Sequence, residues 1–124
     1  MKALLIIPTY NEIKNIGRII PAALGQAPEL EILVMDDNSP DGTAAEVARI
    51  MESEPRVHLI SRPGKMGLGS AYVSGFKYAL ANGYDYILEM DADFSHNPND
   101  IPRLLEEARK YDLVIGSRYC QGVN

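Results

Sequence analysis

Two aspartates, Asp91 and Asp93, stand one residue apart directly after an apolar run that ends at Met90. An Asp-x-Asp at a strand end can aim both carboxylates at one point. Hard divalent cations, Mg2+ or Mn2+, prefer such oxygen ligands and take substrate phosphates and water as well. A second acidic pair, Asp36 and Asp37, follows the run 32–35, where dinucleotide folds carry an acid that accepts from a ribose hydroxyl. For Asp37 the ligand reading is preferred over turn chemistry, although the turn-rich stretch Asn38-Ser39-Pro40-Asp41-Gly42 supplies a competing use. Asp41 is read as part of that turn and Thr43 as the cap of the helix after it. After the first run come Tyr10 and Glu12, a ring that can stack on a base and a carboxylate that can accept from it. The alternative makes Tyr10 a core edge and Asn11 a helix cap, and the residues do not choose between the two. Gly64-Lys65-Met66-Gly67-Leu68-Gly69 precedes a helix, so its amides can face a phosphate. Arg118 suits either a bidentate phosphate contact or a surface ion pair. His96 is read as orienting its loop rather than as a third metal ligand.

Carboxylates gathered along one edge repel each other unless a cation or ligand compensates, so the elements that gather them matter. Near-continuous apolar runs predict strands at 3–7, 32–35, 57–60 and 86–90, with a fifth at 113–115. Apolar residues at helical spacing predict helices at 13–24, 43–53, 68–81 and 101–110. Pro21 is expected to kink or shorten the first helix. Asp100 is expected to cap the fourth, with Pro102 in its first turn. Alternating strands and helices predict βαβ units with right-handed crossovers. The expected fold class is α/β, with a Rossmann-like, mostly parallel sheet covered by helices on both faces. Such a sheet binds ligands beyond the carboxyl ends of its strands, which is where all of these side chains fall.

The chain has 124 residues, enough for one domain, taken as 1–124. Its apolar share of 46% and charged share of 23% are those of a soluble globular protein. A net charge of −5 argues against a nucleic-acid partner. Cys120 is the single cysteine, so no intrachain disulfide can form, which fits a reducing, cytoplasmic compartment. No run approaches the roughly 20 apolar residues of a membrane span. The first strand-to-helix turn, Pro8-Thr9-Tyr10-Asn11-Glu12, has no G-x-G-x-x-G, which disfavours an ordinary NAD or FAD site.

These motifs together resemble the inverting family-2 glycosyltransferases of GT-A fold. The resemblance rests on Pro8-Thr9-Tyr10-Asn11-Glu12, Asp36 to Thr43, Lys65-Met66-Gly67-Leu68-Gly69, Asp91-Ala92-Asp93 and Gly116-Ser117-Arg118-Tyr119, in the family's order and spacing. Within the family, Ser39 to Thr43, Phe94 to Pro98 and Gly116 to Tyr119 look most like dolichyl- or polyprenyl-phosphate mannosyltransferases. The resemblance implies that Pro8, Tyr10, Glu12 and Asp37, with the Met35 backbone beside them, hold the base and ribose of a nucleoside-diphosphate sugar, expected to be GDP-mannose. It implies that Asp91 and Asp93 bind the Mg2+ or Mn2+ that bridges the donor phosphates and are the catalytic pair. Lys65 and Ala92 fall within the implied donor site. Ser95 stands where some relatives carry a glutamine that reaches the metal. Arg118 approaches the acceptor phosphate or the donor diphosphate. The implied acceptor is a lipid phosphate, which puts the whole enzyme at the cytoplasmic face of a membrane.

Relatives continue beyond the Gly-Ser-Arg-Tyr motif, so the chain is expected to be a truncated nucleotide-binding half, weak or inactive in transfer, with the general base and acceptor side absent. Three other readings compete. A nucleotide-sugar binding module without turnover shares the same site. A sugar-nucleotide pyrophosphorylase would carry a glycine-rich basic loop after its first strand. A receiver-type signalling domain would carry its acidic pair there.

Overall fold

The computed structural model describes residues 2–64, 67–108 and 114–115. Strand β1 (Ala3–Thr9) leads into α1 (Ile13–Leu24), β2 (Leu30–Asp36), α2 (Thr43–Met51), β3 (Val57–Ser61), α3 (Leu68–Ala81) and β4 (Tyr86–Glu89). A single 3-10 turn (Pro98–Asp100) then runs into α4 (Ile101–Ala108), and β5 (Val114–Ile115) follows. The strands pair in parallel in the order β3-β2-β1-β4-β5. The chain steps outward from β1 to β3 and then crosses to the far side of β1. Strand order therefore reverses between β1 and β4, where a doubly wound sheet opens a crevice beyond its carboxyl ends.

The unbroken apolar runs are explained by burial on both faces. In β1, Ala3, Leu5 and Ile7 join the core formed with α1, α2 and α4, while Leu4 and Ile6 join the core under α3. Gly75 lets α3 lie directly on β1, since a Cβ there would sit 2.6 Å from Ile6 Cδ1. Helix α1 buries Ile16, Ile19, Ile20, Ala23 and Leu24. It runs through Pro21 to Leu24, so the expected shortening does not occur. Pro21 is on the exposed face. The lost hydrogen bond costs about 3 kcal/mol, and the four buried isoleucine and leucine side chains at roughly 1.5 kcal/mol or more each outweigh it.

Three other expectations are corrected. Thr43 is not a cap: the cap position is Gly42, at φ 92°, and Thr43 is the first helical residue, fully buried. Asp100 is not the cap of the fourth helix: the helical turn starts earlier, and the Asn97 side chain accepts from the Asn99 N–H. Pro98 is buried and Asn99 Oδ1 accepts from Gln26 at 3.0 Å, which carries the chain onto the α1 side of the sheet. Helix α4 therefore packs on the same face as α1 and α2 while β4 to β5 runs the opposite way along the sheet. That last connection has the opposite hand to the first two, so uniform right-handedness ends at β4. Residues 109–110 of the expected fourth helix lie outside the described residues. Among the described residues no helix is long and apolar enough to cross a membrane.

Candidate active site

The carboxyl edge of the sheet is organised around Asp36, which is fully buried. Its carboxylate accepts from Thr9 Oγ1 at 2.7 Å, Ser39 N at 3.0 Å and Ser39 Oγ at 2.6 Å. Asp36 is thus a structural latch between the ends of β1 and β2. The β2–α2 loop also closes the start of α1. Asn11 N donates to Ser39 Oγ, Glu12 N to Thr43 Oγ1 and Ile13 N to Asp41 Oδ2. Glu12, the residue before α1, has no side-chain cap of its own, and these partners satisfy amides at the helix start.

Asp37 is the next residue outward. Its N–H donates to Thr9 O at 3.1 Å, and the Arg62 N–H donates to Asp36 O at 2.7 Å, so the ladder extends past the strands. The Arg62 side chain grips Asp37 with two parallel bonds, Nε to Oδ1 at 2.6 Å and Nη2 to Oδ2 at 2.9 Å. It also reaches Ser70 Oγ at 2.8 Å and Gly67 O at 3.2 Å. Arg62 and Asp37 are both buried. Arg62 therefore ties the acid after β2 to the first turn of α3, a role not legible in the sequence. The available signal was a lone arginine between an apolar strand and a glycine-rich turn.

Of the remaining residues expected at the nucleoside, Pro8 is half-buried and Tyr10 is exposed just beyond β1. Glu12 is half-buried and accepts from Asn15 Nδ2 at 3.2 Å. Met35 lies inside the sheet between Pro8 and Ile60, with its side chain in the core under α3. Lys65 and Arg118 lie outside the described residues, as does Cys120.

After β4, Met90 N donates to Ile6 O at 3.1 Å, which places the Asp-x-Asp against the end of β1 at the reversal of strand order. Ala92 is buried in the core shared with α1. Asp91 is half-buried, and its Oδ1 lies 3.5 Å from the Tyr72 hydroxyl. Its N–H donates to His96 Nδ1 at 3.2 Å. That bond leaves Nε2 as the protonated nitrogen and gives His96 the loop-orienting part expected of it. Asp93 is exposed, and Ser95 N donates to its Oδ1 at 2.9 Å. Hydrogen bonds from the Ser95 side chain and backbone hold the Asp93 carboxyl below its ordinary value. Burial, followed by the charges of Asp91 and Glu89, raises the Tyr72 hydroxyl well above its ordinary value, so it remains a donor.

A cation of the Mg2+ class needs only one or two protein carboxylates when a substrate diphosphate supplies the rest. The residues fit that demand. Asp91 Oδ2 has no protein hydrogen bond among the described residues, and Asp93 faces solvent. No cluster of three or more His, Cys, Asp or Glu able to hold a metal occurs among those residues.

Two further features mark this edge. Among the described non-glycine residues, Asn11, Asn38 and Phe94 have positive φ, at 58°, 57° and 63°, and they follow β1, β2 and β4 in turn. Asparagine tolerates this conformation, whereas a bulky phenylalanine is strained in it, and such strain gathers at functional sites. Glu89 is the second. It is 3% exposed, and among the described residues no hydrogen bond or ion pair involves its carboxyl. Burial, and then the Asp91 charge, pushes this carboxyl up to about 7.

Comparison with known proteins gives a consistent set of matches. The family model described as "Glycosyl transferase family 2" matches residues 4–124. An undecaprenyl-phosphate mannosyltransferase of Micrococcus luteus is 48% identical over 122 residues, covering 98% of this chain and 50% of that protein. A polyprenol monophosphomannose synthase of Mycolicibacterium smegmatis is 46% identical over 123 residues, covering 98% and 46%. The chain thus spans about half the length of the curated relatives it matches. Among solved structures, a mannosyltransferase from Pyrobaculum calidifontis in complex with GDP-Man and Mn2+ superposes with a TM-score of 0.67 at 28% identity, covering 74% of this chain and 27% of that one. TarS 1–349 of S. aureus superposes with a TM-score of 0.71 at 23% identity over 89% of this chain and 33% of its own, a likeness of fold.

Proposed function

This chain belongs to glycosyl transferase family 2, and from that premise we propose that it forms the donor-binding part of a mannosyltransferase. The donor is GDP-mannose, the acceptor a polyprenyl phosphate, and the sugar is transferred with inversion. The observation that carries this reading is the juxtaposition at the β1–β4 reversal: the Asp91-x-Asp93 loop stands one strand away from the Thr9–Asp37 end that would hold the nucleoside. The names of the relatives support the sugar and acceptor class. The GDP-Man and Mn2+ bound by the Pyrobaculum protein support the donor and a divalent cation, Mg2+ or Mn2+.

In this reading Tyr10 stacks on the base, Glu12 and Asp37 accept from base and ribose, and Pro8 and the Met35 backbone floor the slot. Arg62 fixes the direction of the Asp37 carboxylate. Lys65 and the first turn of α3 face the diphosphate, Ala92 spaces the metal carboxylates, and Ser95 holds Asp93. Asp91 and Asp93 would hold a divalent cation, which would supply Lewis-acid stabilisation of the leaving diphosphate. A lipid phosphate is already an anion, so its attack on the anomeric carbon needs no proton removed by the protein. Arg118 meets that phosphate, and the complete enzyme works at the cytoplasmic face of a membrane.

The test is thermal unfolding with Mn2+ alone and with Mn2+ plus GDP, UDP or ADP, beside the Asp91→Ala, Asp93→Ala double variant. A ligand at about a hundred times its Kd adds roughly 2.7 kcal/mol to the native state. GDP should stabilise the protein only with metal, and the double variant should lose the effect. Equal stabilisation of the double variant would refute the metal assignment.

A further inference from the structure

We propose that Tyr72 is a positioning residue whose hydroxyl fixes the direction of the Asp91 carboxylate for a divalent cation. The inference rests on the metal reading above and names a group that this reading leaves without a role. Tyr72 is half-buried on α3, packed against the core of Leu4, Ile6, Leu33 and Met35. A phenol in such a place needs a polar partner for its O–H. Among the described residues its hydrogen-bond partner is Asp91 Oδ1, at 3.5 Å. That separation is long for O–H···O, and contacts of this kind tighten when a site fills. Without the hydroxyl, Asp91 has its own N–H bonded to His96 but no donor to its carboxylate among the described residues, with the buried Glu89 carboxyl two residues away. A carboxylate ligand held by an outer hydrogen bond presents its other oxygen in one direction, and loss of such a support typically costs a factor of about 10 to 100 in metal affinity.

Helix α3 thereby touches both halves of the site. Ser70 and Gly67 take the Arg62 guanidinium that grips Asp37, and Tyr72, one half-turn on, takes Asp91. The arrangement makes the start of this helix a common support for the nucleoside acid and the metal acid.

The experiment measures Mn2+ binding by the electron paramagnetic resonance signal of free Mn2+, alone and with GDP or UDP, for the 124-residue chain, Tyr72→Phe and Tyr84→Phe. Tyr84 is the control: its hydroxyl donates to Glu31 at 2.7 Å, on the α3 side of the sheet but away from Asp91. Tyr72→Phe should weaken Mn2+ binding about tenfold or more while Tyr84→Phe leaves it unchanged. Unchanged Mn2+ affinity in Tyr72→Phe, or an equal loss in both variants, overturns the positioning role. No Mn2+ binding by the parent chain under any condition overturns the metal reading, and this inference with it.

Discussion

Replacing Glu89 by glutamine should stabilise the protein at alkaline pH and not at acid pH. The carboxyl is buried beside Asp91 with no hydrogen-bond partner among the described residues, and its folded value is pushed from the usual 4.5 to about 7. The folded state therefore retains a proton that the unfolded chain releases near 4.5. Below that pH both states are protonated and nothing is lost. As pH rises the native state becomes progressively less stable, and the full penalty is reached above about 7. At about 1.4 kcal/mol per pH unit the penalty is near 3 kcal/mol at pH 8, about 2 kcal/mol at pH 6 and about 1 kcal/mol at pH 5. Glutamine keeps the shape and never ionises, so the difference between parent and variant follows that curve while other titrations cancel. Urea unfolding of both proteins at pH 4, 5, 6 and 8 reads it directly. A difference that stays flat across this range, or a variant less stable at pH 8 than at pH 4 relative to the parent, would refute the reasoning.

Two further outcomes follow from the packing. Arg62→Leu removes the guanidinium that grips buried Asp37 and should cost about 3–5 kcal/mol in urea unfolding, while Arg62→Lys, which keeps a charge without the two-pronged grip, should fall between it and the parent; a loss under 1 kcal/mol in the leucine variant would contradict the buried pair. Gly75→Ala forces a methyl against Ile6 and should cost about 1–3 kcal/mol by the same measurement, and combining it with Ile6→Val, which shortens the side chain it meets, should recover part of the loss.

The limits of α1 and α3 are legible in the sequence because each carries its apolar stripe from end to end, and β1 and β2 because burial on both faces leaves nearly unbroken apolar runs. The edge that gathers Asp37, Asp91 and Asp93 is legible for the same reason: side chains directly after parallel strands must share an edge. What joins them is not. Arg62 meets Asp37 only through the register of β2 against β3, a relation between residues 25 apart that no local pattern carries. Thr43 looks like a cap by type, yet its hydroxyl is used across the loops by Asp41 and Glu12. Tyr72 reads as one inward residue among several, and its hydroxyl acquires meaning only when β4 brings Asp91 beneath α3. Glu89 hides inside an apolar strand, where its charge state depends on neighbours supplied by the fold. The backbone of Phe94 follows no propensity, since the loop imposes it.

The strand order also has a consequence for how the molecule assembles in time. Residues 3–62 contain β1, β2, β3 and the side chains that lock their ends, with partners such as Thr9 and Asp36 only 27 residues apart. Strand β4 must dock on the opposite flank of β1, and its anchoring contact between Lys2 and Asp85 spans 83 residues. Closing the longer loop costs about 1 kcal/mol more in chain entropy. A ribosome delivering the chain amino-end first would release the nucleoside side as a three-strand unit with one flank of β1 bare, and would add the strand leading to Asp91 and Asp93 only afterwards. The two acidic clusters would then come together late, after the scaffold on either side of them has set.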